Sequence, residues 1–568
     1  MALTVDQVLD RIGSLGLYQI RLIFILSYIE WVNITWQILV PTFIAAEPNW
    51  LCETNHSACN LTGEFKPGDK LYDERCKMPR EAWKFAEGYT SVVTQFDLVC
   101  DKSLLGTIST SVIFAGWLVG ALAGGVLADK IGRKPVMFVF AFMCSFFALL
   151  AAFPNVFWLF IVFRLLVGIS IGGGAMGIYV LATEFVGVRH RHVAGTSLWY
   201  SWALSLVMLA GMAYGLRDWR HLSITCAAPG LIVLIGWWLH PKRAPFSGLR
   251  GKSFILVCLL GEILGSRLPF QVELGDVRDL FASKKMCHRT LVSWYAWFVN
   301  AMVYYGVSFS TPTLGGNMYL NFFLASIIEI PANYVSIWAM GKIGRKKSLV
   351  YFMILASIAS VGAVLFTMYD PGNDKCFAAG RIIMALAAKF FVFISFAAVY
   401  VFSTELFPTV IRNVGMGTST SVARLGSFAS PYVVHLSRVH PLLPYGIMGA
   451  KALLASILCM TLPETKGLPT AETMDSEQGI ELGIQNVAME DTVLNDEKEK
   501  VQEKEKQLEE EKMSEKMQEV KEEVKDKNKD NNNVGQDPDE GGNTHEDTNT
   551  ANGEVAGNHA NLGYNTAF

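Results

Sequence analysis

Charge is scarce in this chain. Asp, Glu, Lys and Arg make up 17% of its 568 residues, while 51% are hydrophobic. That balance is too apolar for a soluble protein that also carries a long polar tail. No stretch interleaves basic residues with aromatics, so a nucleic-acid surface is not expected. No nucleophile–base pair, metal-ligand cluster or phosphate-cradling loop stands out, and the His residues are isolated. No catalytic residue, no metal and no bound cofactor are therefore expected. A cleavable signal peptide is also missing from the reading: Met1–Asp10 is polar, and the first apolar run continues into a full span.

What the chain has in excess is apolar segments of about 20 residues, the length that crosses a bilayer. They fall near Leu22–Ile44, Ser109–Ala128, Lys134–Phe153, Phe157–Phe185, Val193–Tyr214 and Trp219–Leu239. After a polar stretch come Thr290–Ser310, Met318–Met340, Ser348–Met368, Arg381–Phe407, Gly415–His435 and Leu443–Leu462. The expected architecture is an all-α polytopic membrane protein of twelve transmembrane helices in two six-helix, pseudo-symmetric halves. Its expected divisions are an N-terminus (1–21), a first half (22–240) with a polar loop (45–108), a central loop (241–289), a second half (290–465) and a charged, largely disordered tail (466–568).

Lys and Arg collect at alternate loops: Arg11 and Arg21, 129–134, 189–191, the central loop, 342–347 and Arg412. The positive-inside rule places those loops and both termini in the cytoplasm. The 45–108 loop then lies outside. Its four cysteines, Cys52, Cys59, Cys76 and Cys100, favour two disulfides of open connectivity. Asn55 and Asn60 head glycosylation sequons there.

The halves repeat. LADKIGRK (127–134) answers MGKIGRKK (340–347), and TEFVGVRHR (183–191) answers TELFPTVIR (404–412); 405 − 184 and 412 − 191 both give 221. Such repeats point to a transporter with its site between the halves near the midplane. The matched charges Asp129, Arg133, Glu184, Arg189 and Arg191, with Arg345, Glu405 and Arg412, read as a gate at the cytoplasmic mouth, although charges at span ends also serve topology and capping.

Two cations lie within spans, Arg424 and Lys389. An arginine in hydrocarbon costs roughly 2.5–3.5 kcal/mol on insertion scales, so it must face a partner, a cavity or a substrate. Pairing with Glu329 is one solution; binding a substrate carboxylate is the other. Helical spacing places Lys389, Phe393, Phe396 and Tyr400 on one face of the tenth span, and Trp297, Asn300, Tyr304 and Ser308 on one face of the seventh. Their aromatics suit a quaternary ammonium, or simply packing. Tyr179 in the fourth span and Tyr200 and Trp202 in the fifth are first-half candidates, because the site must be bipartite. Arg164 and Gly172–Gly174 read as helix packing.

The GVLADKIGRK loop resembles the signature of the major facilitator superfamily. QFDLVCDK, RDWR (217–220), YYG (304–306), EIPA (329–332), ELFPTVIRN and SVARLGSFASPY resemble the organic-ion transporter family, over about residues 15–465 apart from the central loop. The resemblance implies alternating-access transport of small organic ions at the plasma membrane, with possible sodium or proton coupling. An arginine at 424 and a lysine at 389 resemble its carnitine/zwitterion and organic-anion branches, and the Thr566–Phe568 ending resembles the organic cation/carnitine transporters in particular, so carnitine-like zwitterions or organic cations are the expected substrates. Organic anions are the alternative, and a transport-deficient scaffold a second. Thr566–Phe568 also matches a PDZ-domain ligand. The family's E-S-P-R-W-L-like motif after the sixth span is absent here.

Overall fold

A computed structural model describes residues 20–21, 23–24, 31–53, 58–67, 69, 71–86, 88–131, 133–184, 191–239, 276–369, 375–466 and 513. Residues 1–479 form one compact unit and 480–568 a second. Asn55, the central loop 240–275 and the tail from 467, including Thr566–Phe568 but not Met513, lie outside the described residues.

Among the described residues, the first unit holds twelve helical passes. In the first half they are α1 (Trp31–Leu39), α2 (Ser103–Ile131), α3 (Arg133–Leu150), α4 (Phe157–Glu184), α5 (Arg191–Gly215) and α6 (Trp219–Leu239). In the second they are α7 (Lys284–Ser310), α8 (Met318–Lys342), α9 (Arg345–Met368), α10 (Lys375–Leu406), α11 (Thr409–His435) and α12 (Leu443–Cys459). α8 is interrupted at Ile328. Six described helices are long and apolar enough to cross a membrane unaided by context.

Several helix ends follow from local chemistry. Ser283 caps α7 by accepting from Met286 N–H at 3.1 Å, which starts that helix earlier than its apolar run. Pro408 separates α10 from α11, so α11 begins at Thr409 rather than at Gly415. Asp218, in the RDWR turn, accepts from Arg220 and His221 N–H at 2.9 and 3.1 Å and from Thr90 Oγ at 2.9 Å. Burial pushes its carboxyl up, but the His221, Thr90 and Arg220 donors outweigh that and hold it below the usual range.

α2 and α4 cross where both expose backbone. A Cβ at Gly120 would run into Ile169, one at Gly168 into Ile113, and one at Gly172 into Trp117 O. With no side chains between them the two helices touch main chain to main chain, the packing expected for Gly172–Gly174.

The 45–108 loop folds as a small domain. A two-stranded antiparallel sheet, β1 (Trp50–Cys52) and β2 (Trp83–Phe85), is the one exception to an otherwise helical architecture among the described residues. Disulfides join Cys52 to Cys59 and Cys76 to Cys100, which resolves the connectivity left open by the sequence. Arg75 is fully buried, 4.0 Å above the Tyr72 ring, and pairs with Glu47 at 3.3 Å. Asn60 is exposed, as a glycan acceptor requires. The domain is tied to both halves: Thr90 bonds Asp218 of the first, and Glu47 pairs with Arg438 of the second.

Candidate functional site

Four helices of the second half and two of the first converge near mid-bundle. α8 places Glu329 just past its break, and α10 brings Lys389 to it at 3.1 Å; neither side chain is exposed. The same Glu329 oxygen accepts from Tyr304 OH of α7 at 2.8 Å. Lys389 also donates to Ser308 Oγ at 2.8 Å and lies 4.9 Å from the Tyr304 ring centroid. From the first half, Trp202 Nε1 of α5 donates to Tyr304 OH at 2.7 Å. A run of hydrogen bonds thus crosses from one half to the other through a neutral ion pair. Its second carboxylate oxygen, Glu329 Oε2, is buried without a partner.

Arg424 is arranged differently. It is 9% exposed, and among the described residues no carboxylate pairs with it. Its guanidinium lies 3.6 Å over the ring of Trp117, on α2 of the opposite half. Two residues on, a Cβ at Gly426 would strike Phe298 O, so α11 lies directly against α7. Of the two pairings weighed for Glu329, the structure makes the one with Lys389.

The other expected residues group as follows. Trp297 donates to Ser403 Oγ at 2.8 Å and meets Tyr400 edge-on, with centroids 4.3 Å apart. Asn300 accepts from Ser395 Oγ at 2.8 Å, which fixes α7 to α10. Phe393 and Tyr400 both pack against Trp199, at 6.0 and 5.4 Å. Tyr200 makes no hydrogen bond or ring contact among the described residues, and its neighbours Trp199 and Trp202 supply the α5 side of the site. Trp117, Tyr305 and Trp199 were missed as site residues. Tyr305 stood in the quoted YYG motif, whereas nothing in the uniformly apolar α2 marked Trp117.

At the end of the bundle opposite the disulfides, Arg345 Nε pairs with Glu405 at 3.0 Å, and Thr465 Oγ donates to the other Glu405 oxygen at 2.6 Å. Arg412 bonds Phe407 O and Thr409 Oγ rather than Glu405. Glu464, unforeseen, accepts from the N–H groups of Arg345, Lys346 and Lys347 at the start of α9. Gly344 has φ +112°, and a Cβ there would press on the Glu464 carboxylate. Burial pushes Glu464 up, but those backbone donors outweigh it and hold its carboxyl below the usual range. The side chains of Asp129, Arg133, Glu184 and Arg191, and all of Arg189, lie outside the described residues.

The model of the Major Facilitator Superfamily matches residues 88–431. An "Organic cation transporter protein" of Drosophila melanogaster is 30% identical over 521 residues, covering 83% of this chain and 94% of that protein. Human "Organic cation/carnitine transporter 2" is 31% identical over 427 residues, covering 72% and 75%. Human "Organic anion transporter 3" is 28% identical over 518 residues, covering 83% and 93%. Among solved structures, a D-xylose-proton symporter superposes with a TM-score of 0.55 at 15% identity, covering 79% of this chain and 99% of that one.

Proposed function

Because the chain belongs to the major facilitator superfamily and, within it, to the organic-ion transporters, we propose that its substrate is a carboxylate-bearing organic ion, a carnitine-like zwitterion first. The protein is a polytopic membrane transporter of organic ions and not an enzyme. One observation carries the finer reading. Lys389 and Glu329 cancel each other, and in the second half Arg424 has no carboxylate partner among the described residues and lies over an aromatic face. A substrate carboxylate would meet the planar fork of Arg424 bidentately, while Trp117, Tyr305 and Tyr400 offer ring faces to an ammonium end. Alternating access would part the ring contacts that join the halves near the disulfide domain, Phe43 with Tyr319 and Phe322, and Tyr214 with Tyr319.

The orientation supported by the disulfides and the basic loops has both termini in the cytoplasm and the small domain outside, at the plasma membrane. Sodium or a proton is the proposed coupling ion, and Thr566–Phe568 a proposed PDZ ligand. The surplus charge also favours a second reading, an organic anion carrier. Uptake of labelled carnitine, a carboxylate-free quaternary ammonium and a dicarboxylate, with surface biotinylation, separates the readings. Carnitine alone supports the first and the dicarboxylate alone the second. Transport of the quaternary ammonium alone sinks both, and no uptake at normal surface density leaves a scaffold.

A further inference from the structure

A cavity of about 490 Å³ opens between the halves beneath the disulfide domain, and Arg424 is not among its lining residues. That volume suits a small organic ligand. Its walls come from three sources: the start of α2 and the Pro41–Ala46 turn, the loop domain, and the ends of α7, α10, α11 and α12.

Its charges are unequally engaged. Glu47 is held by two arginines, Arg75 and Arg438, and Asp73 lies 4.0 Å from Arg438. Arg381, at the start of α10, also lines the cavity, and among the described residues it pairs with no carboxylate. Its Nε donates to Leu314 O at 3.0 Å, which fixes the stem of the side chain. The rest of the guanidinium fork remains for a ligand. On the same wall, Tyr445 OH and Ser310 Oγ share a hydrogen bond at 2.8 Å, giving a neutral hydroxyl pair within a lining otherwise rich in proline and threonine.

We propose that this chamber is an outer subsite for the carboxylate of an organic ion, read by Arg381 before the substrate reaches Arg424. The idea rests on the carboxylate reading above but assigns a different place and a different residue. Two uncommitted guanidinium groups then lie in series across the second half. The outer one meets the carboxylate while it is still partly hydrated, and the inner one binds it in the dry site. Water screens an exposed pair more than a buried one, so the outer site is the weaker of the two.

The test separates the two sites. Thr313 is exposed and lines the chamber. Thr313→Cys is made in a Cys376→Ser background of the full chain, because Cys376 is an exposed thiol. Cells are labelled with a membrane-impermeant methanethiosulfonate in the presence of carnitine, a dicarboxylate or a carboxylate-free quaternary ammonium. Either carboxylate should slow labelling, and the quaternary ammonium should not. Protection should persist when Arg424→Asp abolishes uptake. It should weaken on the order of tenfold in half-protecting concentration with Arg381→Gln, and recover in part with Arg381→Lys, which keeps the charge. Protection lost with Arg424→Asp and kept with Arg381→Gln would place the carboxylate at the central site only and overturn the proposal. So would equal protection by the quaternary ammonium, or none by any probe. Because labelling is read without transport, a chain that moves none of these substrates fails the functional reading and can still pass this one.

Discussion

Glu329 and Lys389 neutralise each other at 3.1 Å in the interior, and this pairing is what isolates Arg424. Removing one partner of a buried ion pair leaves the other charge uncompensated, which costs more than the pair itself does. The pair therefore supports the fold, and among the described residues it leaves Arg424 without a carboxylate, as the proposed recognition role requires.

Removing one member of the pair should destabilise the protein by about 3–5 kcal/mol. Glu329→Gln or Lys389→Met alone should lower surface density and melting temperature. The double variant should recover both. If the two single effects simply add in the double variant, the charges are not supporting one another.

Arg424→Lys keeps the charge and loses the fork. Charge-assisted hydrogen bonds are worth about 1.5–3 kcal/mol, so carboxylate uptake should fall roughly tenfold to a hundredfold. Arg424→Asp should abolish it. Equal losses for carnitine, the dicarboxylate and the quaternary ammonium would show that Arg424 serves the fold and reads no carboxylate.

Trp117→Phe should retain most of the cation–π contact beneath Arg424, and Trp117→Ala should not. Such contacts contribute about 0.5–2 kcal/mol. The expected result is a raised KM for Trp117→Ala, with surface expression close to that of Trp117→Phe. Identical kinetics for both variants would remove Trp117 from the site.

Gly120→Ala would force a methyl into the backbone of α4, whereas Gly125 meets nothing within 4 Å. Gly120→Ala should lose folded protein at the surface, and Gly125→Ala should not. Equal expression of the two would show that α2 and α4 separate without penalty.

The Glu464 carboxyl is held below its usual range in the folded protein by the N–H groups at the start of α9. Its contribution to stability is therefore present above the ordinary carboxylate range and is lost as pH falls through the depressed folded value. Purified protein should melt higher than Glu464→Gln at neutral pH, and the gap should close on acidification. A gap that widens in acid would contradict the sign.

The sequence carried most of the architecture, because apolar runs, basic loops and repeated turns each act locally. Lys389 and Arg424 were legible for the same reason: a charge in a span must be answered by something. Their answers were not. Which cation meets Glu329 depends on how α8, α10 and α11 pack, and both pairings satisfied the spacing. Trp117 was invisible because α2 is apolar all round, so no stripe marks its inner face. Of the α5 candidates Trp202 reaches Tyr304 and Tyr200 does not, while Trp199, one position away from Tyr200, meets Phe393 and Tyr400, because one residue turns a helix by about 100°. Glu464 came too late in the chain to be noticed as the partner of a helix start more than a hundred residues earlier, since nothing sequential links them.

The disulfide domain is anchored on one half by Thr90 to Asp218 and on the other by Glu47 to Arg438. A strap fixed at both ends limits how widely the mouth beneath it can gape while the ion pair holds. Girth would then become a selection rule independent of charge: a bulky substrate would have to break the strap, and a slender one would not. Uptake across ammonium carboxylates of increasing width, with and without Glu47→Gln, should show a size cutoff that moves upward when the strap is cut.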